Sequence, residues 1–293
     1  VNQMQSIERI GKRFWYMTPV SETDRPILGM VTGNQKNLMI DAGNSEAHAN
    51  LFIDMLKEKG VSDPSYVILT HWHWDHIFGL SALNNTVSIS SKKTRNEIGK
   101  LLPLSWSNEA LDQRVAEGTE IEFCANAIKQ EFPDNRDITI TLPEMTFEDE
   151  IEIDLGGITC IIKHVGGDHA EDSVVVYVKE EKILFLADSI YPDIFSVKDN
   201  YSVEGTRDLL RKIEAFDADT YILSHSGIIS KEEFNHEANL LRSIADLTEK
   251  HRGDSKLMIE DFSKKINRDP TEEELETIVY FVNGFEMSSN TPN

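Results

Sequence analysis

Apolar positions in the first seventy residues come in short runs. Arg13 to Met17, Ile27 to Thr32 and Asn37 to Ile40 each predict a strand, and Gly33-Asn34 between the last two predicts a hairpin turn. Asp41-Ala42-Gly43 then breaks the pattern. From Ser45 to Lys59 the spacing is helical, with Leu51 and Met55 four apart, Ile53 and Leu56 beside them and Gly60 as a stop. Tyr66 to Thr70 is a compact apolar run of the buried-strand kind, and it delivers the chain to His71. Val87 to Ser90 predicts another strand, while 91–130 is mixed, polar and mostly helical in tone.

From Ile138 the period becomes two: Ile138, Ile140 and Leu142, then Ile151, Ile153 and Leu155. Apolar runs follow at Thr159 to Ile162, Val174 to Val178, Ile183 to Leu186 and Tyr221 to Leu223. These predict the strands of a second sheet, with helices between them such as Gly205 to Phe216. In the tail, Asp269-Pro270-Thr271-Glu272 has the residues of a helix start, with Asp269 as cap. Leu275, Ile278, Val279 and Val282 continue at helical spacing, and Gly284 is the expected end. The pattern divides the chain into a main domain, 1–252, and a helical extension, 253–293, with a ragged polar end. The extension packs on the main domain or on a second copy of the chain, a route to a homodimer.

The chain has 293 residues, of which 40% are apolar and 27% charged, so it can bury a core and is not disordered as a whole. The net charge of −22 argues against nucleic acid or an anionic membrane as partner, since neither polyanion is attracted to such a surface. A small molecule is the expected ligand. Two cysteines, Cys124 and Cys160, are too few for a disulfide framework and read as reduced core residues. No stretch approaches the ~18 uninterrupted apolar residues of a membrane span, and the first ten residues do not resemble a leader, so the cytoplasm is the expected compartment.

One segment carries chemistry: Thr70-His71-Trp72-His73-Trp74-Asp75-His76-Ile77-Phe78-Gly79. Three imidazoles and a carboxylate within six residues are the nitrogen and oxygen donors of a transition-metal site. After a strand, His71 and His73 can point one way while Asp75 and His76 reach an adjacent position, so one segment can serve two metals. Further donors stand at strand ends downstream: His169 ahead of Val174 to Val178, Asp188 after Ile183 to Leu186, and His225 after Tyr221 to Leu223. Trp72 and Trp74 should face away from the imidazoles into the core. His48, His236 and His251 fall on predicted helices and are expected to be solvated.

The His71-x-His73-x-Asp75-His76 signature, the Asp41-x-Gly43 turn, His169 followed by Asp172-Ser173, Asp188 after a strand and His225 before Gly227 together resemble the metallo-β-lactamase-fold superfamily, over about residues 10–240. The resemblance implies an α/β fold, a four-layer αβ/βα sandwich with a dinuclear site between its sheets. It also implies that His71, His73 and His169 hold one metal, that Asp75, His76 and His225 hold the other, and that Asp188 bridges. Asp at 188, where secreted β-lactamases usually carry Cys, looks like the glyoxalase II and lactonase branches. Gly167-Asp168 stands where the family often has Pro-Gly, which leaves His164 as the alternative to His169. The long spacing from His76 to His169 suggests that part of 92–137 is an insertion, either a lid or substrate wall beside the site or helices packed away from it.

The implied chemistry is that of two divalent ions, with Zn2+ expected and Mn2+ or Fe2+ as alternatives, which lower the pKa of a shared water and polarise the substrate. The expected activity is hydrolysis of a small ester, thioester or lactone. Asp75 would move the proton, Tyr191 would hold the carbonyl oxygen as in acyl-homoserine lactonases, and Asp168 or Asp172 would orient a ligand imidazole. The competing expectations are a non-haem iron redox enzyme resembling persulfide dioxygenases, and a nuclease on the same fold.

Overall fold

The computed structural model describes residues 4–134 and 136–290. It opens with β1 (Ile7–Ile10), β2 (Phe14–Met17), β3 (Leu28–Thr32) and β4 (Asn37–Ile40), an antiparallel meander, followed by α1 (Glu46–Glu58). The parallel strand β5 (Tyr66–Ile68) leads into the short α2 (Trp74–Ile77) and a 3-10 turn. Next come β6 (Val87–Ser91), α3 (Lys92–Gly99), α4 (Asn108–Glu117), α5 (Glu122–Glu131) and β7 (Met145–Phe147). The seven strands form one sheet in chain order.

The second sheet takes β8 (Glu150–Asp154), β9 (Thr159–His164), β10 (Val174–Val178), β11 (Ile183–Ala187), β12 (Thr220–Leu223) and β13 (Gly227–Ser230), again in chain order, with α6 (Val203–Ile213) making the parallel crossover from β11 to β12. The chain ends in α7 (Lys231–His251), α8 (Ser255–Ile266) and α9 (Glu272–Ser289). Among the described residues no helix is long and apolar enough to cross a membrane.

The period-two pattern explains the layering. In β11, Ile183, Phe185 and Ala187 face the first sheet, whereas Leu184 and Leu186 face α6 and α7. In β4, Leu38 and Ile40 face the second sheet and Met39 faces α1. Three apolar layers result: one between the sheets, one under α1 to α5, and one under α6 to α9. Each fully buried Phe, Leu or Ile contributes about 1.5–3 kcal/mol by leaving water. The α/β sandwich expected from the sequence is the fold observed. Segment 92–137 is tied to the first half of the chain by Glu131, whose carboxylate accepts from Arg25 Nη2 at 2.6 Å and from Ser45 Oγ at 2.7 Å.

Several local expectations change. Ile138 to Leu142 form no strand; Ile138, Ile140 and Leu142 are half-buried against the apolar layer under α1 to α5 without a ladder partner. The tail helix starts two residues later than expected. Thr271 is the cap and Glu274 closes the capping box, since Thr271 Oγ1 accepts from Glu274 N–H while the Glu274 carboxylate accepts from Thr271 N–H. Gly284 does not end α9: a Cβ there would lie 1.9 Å from the Tyr201 carbonyl oxygen, so the glycine serves a close helix contact. The last three residues of the expected ragged end lie outside the described residues.

His48 is fully buried rather than solvated, in the first turn of α1, where its Nδ1 accepts from Asn44 N–H at 3.2 Å. His236 is exposed; His251 is half-buried with its Nε2 2.8 Å from Asp261. Both cysteines are free and buried, and burial pushes the Cys160 thiol up to about 12.

Candidate metal centre

The centre forms where strand ends of the two sheets meet. Thr70 O accepts from Val174 N–H at 2.9 Å, and Ser224 O accepts from Ile27 N–H at 2.8 Å, so backbone bonds join the sheets beside both ends of the site. After β5 the chain supplies His71, then His73 in extended conformation as the residue preceding α2, and Asp75 and His76 on α2 itself. His169 lies in the turn between β9 and β10. Asp188 directly follows β11, at a register irregularity against β12 where Ala187 adopts φ 52°. His225 follows β12.

These seven side chains form two groups, His71 with His73 and His169, and Asp75 with His76, Asp188 and His225. Within each group the donor atoms lie within 4.8 Å of one another. The Asp188 Oδ2 atom stands between the groups, 3.4 Å from His71 Nε2, 3.5 Å from His169 Nε2, 3.0 Å from His76 Nε2 and 3.5 Å from His225 Nε2. Asp75 Oδ2 is 3.0 Å from His225 Nε2 and 3.1 Å from His76 Nε2. His164 is not part of either group; its Nε2 is bonded to the Glu171 carbonyl at 2.7 Å.

The outer nitrogens of three imidazoles are already committed. His169 Nδ1 donates to the Pro192 carbonyl at 2.9 Å, and His76 Nδ1 donates to Asp41 Oδ2 at 2.7 Å. Thr70 Oγ1 gives its proton to Asp41 Oδ2 at 2.8 Å and therefore accepts from His71 Nδ1 at 3.0 Å. Each ring thus turns Nε2 inward with Nδ1 keeping its proton, so that Nε2 is the atom that offers a lone pair when a metal replaces any proton there. Asp41 performs the orienting role that the sequence assigned to Asp168 or Asp172. Asp168 instead accepts from Ser202 N–H and Oγ–H at the start of α6, and Asp172 accepts from Trp72 N–H and Thr94 Oγ–H. Neither bonds an imidazole, and the only sequence signal for Asp41 was its place in the turn after a buried strand.

The donor set fits a divalent cation on the evidence of its own electrostatics. His71 Nε2 and Asp188 Oδ1 are buried with no hydrogen-bond partner, a costly state that coordination would relieve. Burial opposes charge throughout the cluster, yet the carboxylates of Asp75, Asp188 and Asp41 outweigh it at His76 and hold its pKa well above the ordinary value. Burial works the same way at His225, where Asp188 and Asp75 prevail and the pKa is again raised. At Asp75 and Asp188 burial is overcome by His76 and His225, and both carboxyls sit far below the usual range. His73, by contrast, is held neutral by burial and by His71 and His169. Protons on His76 and His225 occupy the charge balance that a cation would take over.

The sequence model of the metallo-β-lactamase superfamily matches residues 29–225, which contain all seven donors. The chain belongs to the metallo-β-lactamase superfamily. Solved structures with the same fold include a metallo-β-lactamase from Pontibacter korlensis, at 16% identity and TM-score 0.56 over 80% of this chain and 98% of that one. Another, from Hirschia baltica, has 17% identity and TM-score 0.56 over 81% of this chain and 97% of that one. A double mutant of the sec-alkyl sulfatase PisA1 aligns over 98% of this chain and 50% of that one, at 12% identity and TM-score 0.68. At these identities the likeness concerns the fold. No curated protein matches the chain.

In this superfamily member the centre opens onto a cavity of about 660 Å³. Residues of 92–137 wall it: Leu101, Leu104 and Trp106 before α4, Arg114 on α4 and Phe123 on α5. The opposite wall carries Tyr191, Ile194 and Phe195. Trp74 is buried in the core, as expected, but Trp72 is only half-buried and lines the cavity with its ring 4.8 Å from that of His73. Tyr191 also lines it. The phenol oxygen accepts from His225 N–H at 3.2 Å and lies 2.8 Å from Ser226 Oγ, and burial followed by the Asp188 charge raises its pKa. Asp24, which the sequence did not single out, lies 3.4 Å from His225 Nδ1; burial and the nearby Asp75 push its carboxyl up to about 8.

Proposed function

We propose that this chain is a dinuclear, zinc-dependent hydrolase of a small ester, thioester or lactone, of the glyoxalase II and lactonase kind. One observation carries the reading: a single carboxylate oxygen, Asp188 Oδ2, within 3.5 Å of imidazoles from both donor groups, at the floor of an apolar cavity. His71, His73 and His169 would hold one ion, and Asp75, His76 and His225 the other, with Asp188 shared. Bound ions supply Lewis acidity and a water acidic enough to ionise near neutral pH.

Asp75 is placed to take the proton of the attacking water and return it to the leaving group, because His76 and His225 keep its carboxyl ionised. Tyr191 keeps its proton at neutral pH. With its oxygen accepting from His225 N–H and from Ser226 Oγ–H, the O–H would turn to a carbonyl oxygen that gains charge during attack. The apolar walls favour uncharged substrates, and the net charge of −22 opposes polyanions.

The test is metal analysis with an anaerobic absorption spectrum, followed by a panel of lactones, thioesters, carboxylic esters, β-lactams, phosphodiesters and, given the likeness to a sec-alkyl sulfatase, alkyl sulfates. Zinc near two per chain with ester or lactone turnover is expected. A stoichiometric iron chromophore would overturn the reading in favour of a redox enzyme. Asp75→Ala at full metal occupancy should abolish turnover.

A further inference from the structure

The metal centre is reached from two sides. Besides the apolar cavity, a groove of about 530 Å³ meets the cluster at His73 and His169. Four residues line both spaces: Trp72, His73, His169 and Phe195. The Phe195 ring lies 4.6 Å from that of His73 and 6.1 Å from that of His169. It is held there by Asp193, whose Oδ1 accepts from Phe195 N–H at 2.8 Å and from Ser196 N–H at 3.2 Å. Trp72 and Phe195 therefore divide two compartments that share the cluster's His73 and His169 edge.

The compartments differ in chemistry. The cavity is mainly apolar, with Trp72, Trp106, Leu101, Leu104 and Phe123, though Arg114, Glu117 and Glu120 also line it. The groove presents Asp168, Glu171, Asp172, Asp193 and Glu97, with Lys93 as its cation, and Lys93 Nζ is paired with Glu171 at 3.0 Å. Asp172 on the groove wall is almost fully buried, and its Oδ1 has no hydrogen-bond partner. The groove's excess of carboxylates repels anions and favours neutral polar or cationic groups, and Trp72 and Phe195 at its inner end offer aromatic faces that suit an ammonium group.

We propose that the substrate lies across the centre, with an apolar arm in the aromatic-lined cavity and a polar arm, neutral or cationic and never anionic, in the groove beyond Trp72 and Phe195. The inference rests on the hydrolase reading for its scissile bond but makes its own demands. The cavity is a site for transfer of CH2 groups out of water, so each methylene of the arm should tighten binding about fourfold until the space is filled. The groove sets the sign preference of the other arm, and it excludes leaving groups that carry phosphate or carboxylate.

The test uses the zinc-loaded protein and ketone isosteres of the esters, which cannot be hydrolysed. Binding is read from tryptophan fluorescence, because Trp72, Trp74 and Trp106 all line the cavity. Alkyl arms of four to ten carbons should bind with rising affinity, and Phe123→Ser, at a half-exposed position, should flatten that series. At fixed arm length, isosteres ending in trimethylammonium or hydroxyl should bind at least tenfold tighter than one ending in carboxylate. Reversing two groove charges with Glu97→Lys and Glu171→Lys should erase the difference. A flat chain-length series, or preferred binding of the carboxylate, overturns the proposal. Graded binding with no hydrolysis of any matching ester would leave it standing and overturn the hydrolase reading alone.

Discussion

Asp41→Asn tests how the centre is built. Asp41 is fully buried, with Oδ1 accepting from Thr70 N–H at 2.8 Å and Oδ2 accepting from both Thr70 Oγ1 and His76 Nδ1. Its φ of 61° is a left-handed conformation that Asn also tolerates, so the substitution leaves the backbone unstrained. With the amide nitrogen at the Oδ2 position, the side chain donates where it formerly accepted. His76 Nδ1 must then become an acceptor, and Thr70 Oγ1 must turn its proton toward His71. Both rings would carry a proton on Nε2, the atom that faces Asp188. With the amide reversed, its NH2 opposes Thr70 N–H, and a buried donor left unpaired costs about 1–3 kcal/mol. Either arrangement predicts metal affinity lower by about 10–100-fold, or about 1.4–2.8 kcal/mol. Competition against a zinc-binding chromophore, with circular dichroism to confirm folding, measures it. Equal affinity in the folded variant would refute the tautomer argument.

In the metal-free protein the pairing of His76 and His225 with Asp75 and Asp188 should contribute most to stability between about pH 4 and 6.5. The raised pKa values of His76 and His225 give stability that is full below the unfolded value near 6.5 and lost as pH climbs through the folded value, whereas the depressed Asp75 and Asp188 give stability lost as pH falls below about 3.9. Thermal melts in chelator should show His225→Gln falling furthest below the parent in that window and less at pH 8; an equal deficit at both would contradict the assignment. Tyr191→Phe should lower kcat by about 10²-fold with little change in KM, as for loss of one donor to a developing charge, and an unchanged kcat would remove Tyr191 from the chemistry. Gly79→Ala places a Cβ 1.9 Å from the Ala42 carbonyl oxygen, and overpacking beside the Asp41 turn should cost about 1–3 kcal/mol in urea denaturation.

The donors were legible because most of them cluster in six residues and the rest stand at the ends of apolar strands, where periodicity marks the exits. Asp41 was seen only as a turn residue, since its partner His76 lies 35 positions away and only the parallel pairing of β4 with β5 brings them together. His48 was misread because an imidazole on a helix carries no mark of which face is covered. Edge strands β1 and β13 escaped notice because their side chains are largely exposed or half-buried and lack the apolar alternation of the central strands. Trp72 followed the alternation rule only to the end of β5; beyond it the chain is no longer a ladder strand. The two compartments could not be read at all, because their walls come largely from 92–137, 168–172 and 190–196, segments whose meeting place depends on the finished fold.

Ala187 gives the centre a further property. Asp188 directly follows a strand that is buried along its whole length, at a register irregularity bonded on through Ser224 N–H to Ala187 O at 3.1 Å. Asp188 therefore has no hinge of its own. Local opening of the outer walls can admit and release substrate, but displacing the Asp188 backbone requires breaking β11 from its neighbours, an event on the scale of global unfolding. Amide exchange at Phe185 to Ala187 should accordingly track the slowest protons in the molecule with or without metal, so that metal exchange proceeds through a framework that keeps its shape while empty.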